Sequence, residues 1–335
     1  MPPAPDRSSA PAHRISVVVP VYRGAQTLPG VVKELRSLAE PFRTVEGHTA
    51  VVDEVLLVFD HGPDDSATAI RALAGEDPRV RGIWLSRNFG QHAATLAGMA
   101  SSGGDWIVTL DEDGQHDPAS IANMLDTAMR ESASVVYADP VNPPPHGAVR
   151  NAASRGAKRV TDLLTGGSQS RRYQSFRLVL GEVGRSVAAY AGSGVYLDVA
   201  LGWVAGDVAT CPVTLRGETR PSGYGLRSLL SHFWRLVLTS GTRGLRLVSL
   251  LGAVFAAAGV ALTIFIVVAH WTGHATPAGW ASTVITVLLT SGAVLFSLGI
   301  VAEYVGITVN MALGRPSYLI VGDPAAGPLG RRPEP

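Results

Sequence analysis

Closely spaced carboxylates behind an apolar segment are the clearest chemical signal in this 335-residue chain. Asp111 and Asp113 follow residues 106–110, an apolar run typical of a strand buried on both faces. Because side chains alternate along an extended chain, both carboxylates are expected to point to one side. Two hard oxygen ligands on one side suit Mg²⁺ or Mn²⁺ carrying a diphosphate. The alternative is a solvated acidic turn ahead of a helix near Pro118, and the spacing alone does not distinguish the two.

Strand-like and helix-like segments alternate on both sides of these carboxylates. The predicted strands are residues 15–21, 55–59, 82–85, 106–110 and 135–137, with predicted helices over residues 28–39, up to residue 74, and over residues 91–100. This order indicates βαβ units and therefore an α/β fold with a mostly parallel sheet. Such sheets bind ligands outside the carboxyl ends of their strands. The first strand is not followed by Gly-x-Gly-x-x-Gly, which argues against a dinucleotide-binding site.

Composition argues against several classes of protein. Hydrophobic residues make up 46% of the chain and charged residues 16%, and the mean hydropathy is +0.21, which is too apolar for an ordinary soluble protein. The net charge of +1 carries no sign of a nucleic-acid partner. Cys211 is the single cysteine, which excludes an intrachain disulfide and a cysteine-based zinc site. Residues 1–13 are rich in Pro, Ala and Ser and are expected to form a disordered tail, not a signal peptide.

Two long apolar segments predict a membrane anchor. Residues 247–269 and 281–302 contain no charged residue, and each has about the 20 residues that cross a bilayer core. Arginines precede the first segment and follow the second, whereas the connector has none, so both termini are expected in the cytosol of an inner-membrane, multi-pass protein. Residues 226–244 predict an amphipathic helix on the membrane surface. The alternatives are an amphipathic helix packed on the domain and a helical hairpin buried in a soluble core.

Several short motifs occur in a characteristic order along residues 15–318. They are Val19-Pro20-Val21-Tyr22, Asp60, residues 86–93 (Ser-Arg-Asn-Phe-Gly-Gln-His-Ala), Leu110-Asp111-Glu112-Asp113 with Gln115 and Pro118, Ser222-Gly223-Tyr224, Glu303-Tyr304-Val305-Gly306 and Arg315-Pro316-Ser317-Tyr318. With this set the chain resembles the GT-A-fold, family 2 glycosyltransferases that move a sugar from a nucleotide to a polyprenyl phosphate. It looks most like the undecaprenyl-phosphate aminoarabinose and glucosyl transferases, and is similar to dolichol-phosphate mannose synthase.

The resemblance implies roles for the residues at the first strand ends. Pro20, Tyr22 and Asp60 would hold the base and ribose of the nucleotide. Arg87 and Gln91 would lie beside the donor. The alternatives are simple packing for Tyr22 and a surface charge for Arg87.

The resemblance also implies the catalytic group. Asp111 and Asp113 would bind Mg²⁺ or Mn²⁺ and the donor diphosphate, and Gln115 would face the donor sugar or diphosphate. Arg177 matches the arginine of the family's Asp-Phe-Arg-Leu segment and is expected near the reacting phosphate.

Four positions depart from the family pattern. Gly24 stands where the family has Glu, in Arg23-Gly24 in place of Asn-Glu, and His61 replaces the second Asp of Asp-Asp-Gly. These two changes put the identity of the nucleotide in doubt. Ser175 replaces the Asp of Asp-Phe-Arg-Leu, and Gly223 replaces the Lys of Ser-Lys-Tyr, which puts the acceptor in doubt.

The expected organisation is a tail (1–13), a GT-A domain (14–225), a membrane-surface helix (226–244), two transmembrane helices (245–318) and a cytosolic tail (319–335). The expected function is inverting transfer of a sugar, most simply from a UDP-sugar, to undecaprenyl phosphate on the cytosolic face. A homo-oligomer is the assembly that the resemblance suggests. The alternatives are a glycosyltransferase with a glycan or lipid hydroxyl as acceptor, and a non-catalytic relative that binds a nucleotide or lipid.

Overall fold

The computed structural model describes residues 11–142, 173–192, 195–216, 279–314 and 316–328, with positions 261, 264, 268, 271 and 272. The chain divides into two compact units. Of the described residues, 11–142, 173–192, 195–216 and 316–328 belong to the first unit, and the rest belong to the second.

The first unit alternates strands and helices. Its strands are β1 His13–Val21, β2 Phe42–Arg43, β3 Thr49–Phe59, β4 Val80–Leu85, β5 Trp106–Thr109, β6 Val135–Pro140, β7 Arg177–Leu180, β8 Val208–Val213 and β9 Ile320–Val321. Its helices are α1 Leu28–Arg36, α2 Ser66–Glu76, α3 Gln91–Ala100, α4 Ser120–Glu131, α5 Gly181–Tyr190 and α6 Leu197–Val204. The predicted α/β class is confirmed, and each of the five predicted strands is present.

The strands form one mixed sheet in the order β8-β6-β7-β5-β1-β3-β4-β9, with β2 beside β3. β1 pairs in parallel with β3 and β5, and β3 pairs in parallel with β4. β7 runs antiparallel between β5 and β6, and β9 runs antiparallel to β4. The centre of the sheet is therefore parallel, as predicted. The antiparallel strands were not predicted, because they are only four and two residues long.

The apolar strand runs are explained by burial on both faces of the sheet. In β1, Val17 and Val19 pack in one core layer, and Val18 packs in the other. The first layer includes residues of α1, α2 and α4, and the second includes residues of α3, α5 and α6. A central strand covered on both faces needs apolar side chains at successive positions, which removes the alternation of a half-exposed strand.

The chain returns to the edge of the sheet near its C-terminus. β9 pairs with β4, and the backbone N–H of Ser86 donates to the carbonyl of Leu319 at 2.9 Å. Arg71 of α2 donates two hydrogen bonds of 2.7 Å to the Asp323 carboxylate. The segment 316–328 therefore covers the outer edge of β4, which would otherwise expose unpaired backbone groups.

The second unit contains α7, Trp280–Ala312, a helix of 33 residues. Its stretch Thr290–Val309 has a mean hydropathy of 1.8 and is long and apolar enough to cross a membrane. Large apolar side chains on it are exposed, among them Leu295 (68%) and Phe296 (55%). α7 includes the second predicted span. The Ser222-Gly223-Tyr224 motif, the surface helix 226–244 and the first span apart from positions 261, 264 and 268 lie outside the described residues.

Close packing of α3 on the sheet generates a stability prediction. A Cβ at Gly98 would collide with Val18 and meet Val58 Cγ2 at 3.0 Å, so Gly98→Ala is expected to lower the free energy of unfolding by about 1–3 kcal/mol. Gly30 in α1 is the matched control, since a Cβ there meets no atom within 4 Å and Ala favours a helix by up to about 1 kcal/mol. Denaturant unfolding of both variants checks this. Equal loss of stability in the two would contradict the packing account.

Candidate active site

Three strand ends bring the predicted site residues to one edge of the sheet. β1 lies between β3 and β5, and the three strands run in the same direction. Tyr22 follows β1, Asp60 follows β3, and Asp111 follows β5 after Leu110. The site is therefore built at the carboxyl ends of parallel strands, where open α/β sheets bind their ligands.

Asp111 is held by two side chains from different elements. Its Oδ1 accepts a 2.6 Å hydrogen bond from Nε2 of Gln91, the first residue of α3, and its Oδ2 accepts a 2.5 Å bond from the Ser175 hydroxyl. The Asp111 N–H donates to Nδ1 of His116 at 3.2 Å. The predicted neighbours Gln91 and Asp111 are therefore together. Ser175, noted in the sequence only as a departure, is a direct partner of Asp111.

Asp113 and Gln115 lie on the turn that follows. Asp113 Oδ1 accepts the backbone N–H of Gln115 at 3.0 Å, and Gly114 between them has φ +75°, a conformation that side chains disfavour. Burial and the nearby charge of Asp111 raise the pKa of Asp113. A bound divalent cation would reduce the electrostatic repulsion between these two carboxylates. Their oxygen atoms are hard ligands, so the pair fits Mg²⁺ or Mn²⁺.

Glu112 ties this acidic turn to the end of β1. Its two carboxylate oxygens accept the backbone N–H groups of Tyr22 and Arg23, both at 2.8 Å. A Cβ at Gly24 would lie 2.8 Å from Glu112 Oε2 and 2.8 Å from Cγ of Leu28. The Glu112 carboxylate therefore occupies space that a side chain at position 24 would need. This contact gives a physical reason for the glycine at a position where the resembling family has Glu.

Asp60 is buried and shapes the loop ahead of α3. It is 3% exposed, and its two oxygens accept the N–H groups of Phe89 (2.7 Å) and Gly90 (2.8 Å). Burial raises the pKa of Asp60 against the opposing effect of these donors. Gly90 has φ +93° and precedes Gln91, which reaches Asp111. In the described structure Asp60 thus positions the Gln91 segment, and its contact with a nucleotide stays a prediction.

The other predicted nucleotide residues surround the same edge. Pro20 is buried in β1 opposite Val58, whereas Tyr22 is 41% exposed. The Arg87 guanidinium stacks on the Phe89 ring at 4.0 Å and donates to the carbonyl of Asn88 at 3.0 Å. Tyr22 therefore offers an exposed ring at the strand end, whereas the roles of Pro20 and Arg87 in binding a nucleotide stay predictions.

Arg177 is a buried residue at the start of β7, two positions after Ser175. It is 3% exposed, forms an ion pair with Asp198 of α6, and donates from Nε to the Thr109 hydroxyl at 3.2 Å. The Tyr137 hydroxyl donates to the same Asp198 oxygen at 3.0 Å, and Thr109 donates to the Ser175 carbonyl. This buried network fixes β7 and with it Ser175. The predicted contact of Arg177 with a phosphate stays a prediction.

Sequence reasoning missed Glu112 and Ser175 as members of the site. The alternation of side chains along a strand predicts that positions 111 and 113 share one side, and it leaves Glu112 out. The signal that could have found it was the joint occurrence of a carboxylate at 112 and a glycine at 24. Ser175 carried no local signal, since its partner Asp111 lies 64 residues earlier.

The contact between Gly24 and Glu112 predicts energetic coupling between the two positions. Gly24→Ala is expected to destabilise the protein, and to do so less in a Glu112→Ala background, with a coupling energy of roughly 0.5–3 kcal/mol. The measurement is a double-mutant cycle of unfolding free energies. Gly103→Ala is the matched control, because its Cβ would meet a carboxylate oxygen of Glu54 at an ordinary 3.6 Å. Simple additivity of the two changes would show that the contact carries no energy.

The sequence pattern of Glycosyl transferase family 2 matches residues 16–184, which run from β1 to α5 and contain the acidic turn. Undecaprenyl-phosphate 4-deoxy-4-formamido-L-arabinose transferase of Salmonella choleraesuis is 28% identical over 332 residues, covering 93% of this chain and 94% of that protein. The protein of the same name from Yersinia enterocolitica is 28% identical over 322 residues, covering 92% of each.

Solved structures with related architecture include mannosyl-3-phosphoglycerate synthase from Rubrobacter xylanophilus, at 16% identity and a TM-score of 0.48, covering 70% of this chain and 74% of that one. The family pattern matches half of the chain and includes the acidic turn. The chain therefore belongs to glycosyl transferase family 2.

Proposed function

We propose that this glycosyltransferase transfers a sugar from a nucleotide donor, most simply a UDP-sugar, to a polyprenyl phosphate such as undecaprenyl phosphate. The observation that carries the proposal is the extent of the likeness to the undecaprenyl-phosphate transferases. It covers 93% of this chain and 94% of the Salmonella protein, and so extends well beyond the family 2 region. The apolar helix α7 lies in this additional part.

The acidic turn supplies the donor site in this proposal. Asp111 and Asp113 would hold Mg²⁺ or Mn²⁺ together with the donor diphosphate. The ion, when bound, supplies positive charge that stabilises the diphosphate leaving group. Gln91 and Ser175 orient the Asp111 carboxylate through their hydrogen bonds. Tyr22, Pro20 and Asp60 form or shape the nucleotide pocket, with Gln115 and Arg87 beside the donor.

The nature of the side chain at position 175 favours a phosphate as acceptor. Its hydroxyl already donates to Asp111 and has no capacity to act as a general base at neutral pH. A phosphate monoester has a second pKa of about 6 and is therefore an anion without help from the enzyme. A hydroxyl acceptor would have to lose a proton during attack. A single displacement by the phosphate oxygen at the anomeric carbon inverts that centre.

The network of Arg177 acts through position in this proposal. Arg177, Asp198 and Tyr137 hold β7, which carries Ser175 to the Asp111 carboxylate. Arg177 would then support the binding site of the acceptor phosphate by holding β7 in place.

The membrane part of the proposal follows from composition and α7. Two transmembrane helices, over residues 247–269 and 281–302, would keep the site at the inner leaflet with both termini in the cytosol. An acceptor with a long apolar chain lies at this surface. The anchor reduces the search for it to two dimensions. A homo-oligomer remains part of the proposal.

Replacing Asp113 tests the reaction. Asp113→Ala is expected to lower transfer by about a hundredfold or more, because the carboxylate stabilises developing charge through the bound ion. The measurement uses detergent-purified protein, a panel of UDP- and GDP-sugars, Mg²⁺ or Mn²⁺, and undecaprenyl phosphate. Asp53→Asn is the matched control, because Asp53 of β3 forms an exposed ion pair with Arg14 of β1.

The acceptor is tested in the same assay with phosphatase-treated lipid. Product is expected with undecaprenyl phosphate and not with undecaprenol. Product from the alcohol would favour the alternative of a hydroxyl acceptor. Absence of donor binding and of turnover across the panel would favour a non-catalytic relative.

Ser175 provides a finer prediction about the donor site. Ser175→Ala removes a hydrogen bond to Asp111, worth about 1.5–3 kcal/mol when one partner is charged, and is expected to lower kcat roughly tenfold or more. Ser175→Thr keeps the hydroxyl and is expected to retain most of the activity. Steady-state kinetics of the two variants separate loss of kcat from a change in KM. Equal activity of Ser175→Ala and the unmodified enzyme would remove Ser175 from the site.

A further inference from the structure

Three side chains that can bind a metal come together near the amino end of β3, away from the acidic turn. Glu46 and His48 lie between β2 and β3, and Asp126 lies in α4. One ligand atom from each of the three side chains lies within 4.8 Å of the others. His48 precedes β3, whose 11 residues end beside Asp60, so the group is separated from the catalytic edge by roughly 30 Å. It is therefore distinct from the Asp111 and Asp113 pair.

Asp126 carries an unusual unpaired oxygen. The residue is 4% exposed, and its Oδ2 accepts the backbone N–H of Glu46 at 3.1 Å. Its Oδ1 is buried and has no hydrogen-bond partner among the residues that the structure describes. Buried polar atoms are nearly always paired, and an unpaired carboxylate oxygen is among the costliest exceptions. A bound cation or a water molecule satisfies such an oxygen.

The donor set indicates the class of cation. One imidazole nitrogen and two carboxylates suit Zn²⁺ and similar transition metals, whereas Mg²⁺ and Ca²⁺ prefer oxygen alone. The His48 ring also packs edge-on against the ring of His13, with the two centroids 5.9 Å apart.

The surrounding charges leave room for this ion. Arg130 donates to Oε1 of Glu46, and Arg130 also lies 3.7 Å from Glu131. The Arg130 side chain is 52% exposed, and exposed ion pairs contribute little to stability. The Glu46 side chain is 37% exposed, so its carboxylate is accessible from solvent.

We propose that Glu46, His48 and Asp126 form a second cation site, for a divalent transition metal of the Zn²⁺ class. The site would join α4 to the segment between β2 and β3. Because α4 begins just after the acidic turn, the ion would act as a structural clamp on the helix that follows the catalytic loop. This inference does not depend on the proposed sugar donor or acceptor.

The test measures Zn²⁺ binding to the full-length, detergent-purified chain without a histidine tag, after treatment with a chelator. Wild type is expected to bind Zn²⁺ with a raised thermal midpoint. Asp126→Asn and His48→Gln are each expected to weaken binding by about tenfold or more, as loss of a ligand should. Asp53→Asn is the control, because Asp53 lies in an exposed ion pair with Arg14 and outside both groups of candidate ligands, and it is expected to keep the site.

The outcomes are read by calorimetric titration and by the visible spectrum of Co²⁺ bound in place of Zn²⁺. Loss of one equivalent of bound metal in both cluster variants, with retention in Asp53→Asn, supports the site. Unchanged stoichiometry and affinity in both cluster variants overturns it, as does the absence of Zn²⁺ binding by wild type. If Asp126→Asn fails to fold, the result for His48→Gln alone decides whether the site exists, because the His48 side chain is only half-buried.

Discussion

The parallel pairing of β1 with β3 and β5 is the constraint on which the rest of this structure depends. It aligns three strand ends at one edge, so that residues from positions 22, 60 and 111 lie in a common site. The pairing is held by strands whose side chains are buried on both faces, and this burial needs helices on both sides of the sheet. The chemistry at the edge is therefore a consequence of hydrophobic packing beneath it.

The edge itself is electrostatically crowded. Asp111, Glu112 and Asp113 are consecutive, and burial together with neighbouring carboxylates raises the pKa of both Glu112 and Asp113. Backbone N–H groups of Tyr22, Arg23 and Gln115 offset part of this cost. A site that concentrates negative charge in this way is suited to a divalent cation.

The departures from the family pattern are partly explained by contacts. Gly24 and Glu112 compete for the same space, so a change at one position carries a requirement at the other. Ser175 donates to Asp111, and its position is set by a buried ion pair between Arg177 and Asp198. These residues form one connected arrangement. The substitution at His61 has no structural explanation: its backbone has a φ of +51°, and its ring makes a tilted contact with that of Phe59.

Much of this protein was determined by the local order of its residues. Each of the five predicted strands follows from an apolar run, and the end of the fourth run points to Asp111 and Asp113. Both results depend on period and strand length, which are local properties of the sequence. The short strands β7 and β9 were not predicted, since two or four residues carry no period. The partners of Asp111 also depended on the tertiary structure. Gln91 was expected near the donor, but Ser175 reaches Asp111 from a strand 64 residues away. Hydrogen bonds between distant segments depend on register and packing, which only the folded chain defines.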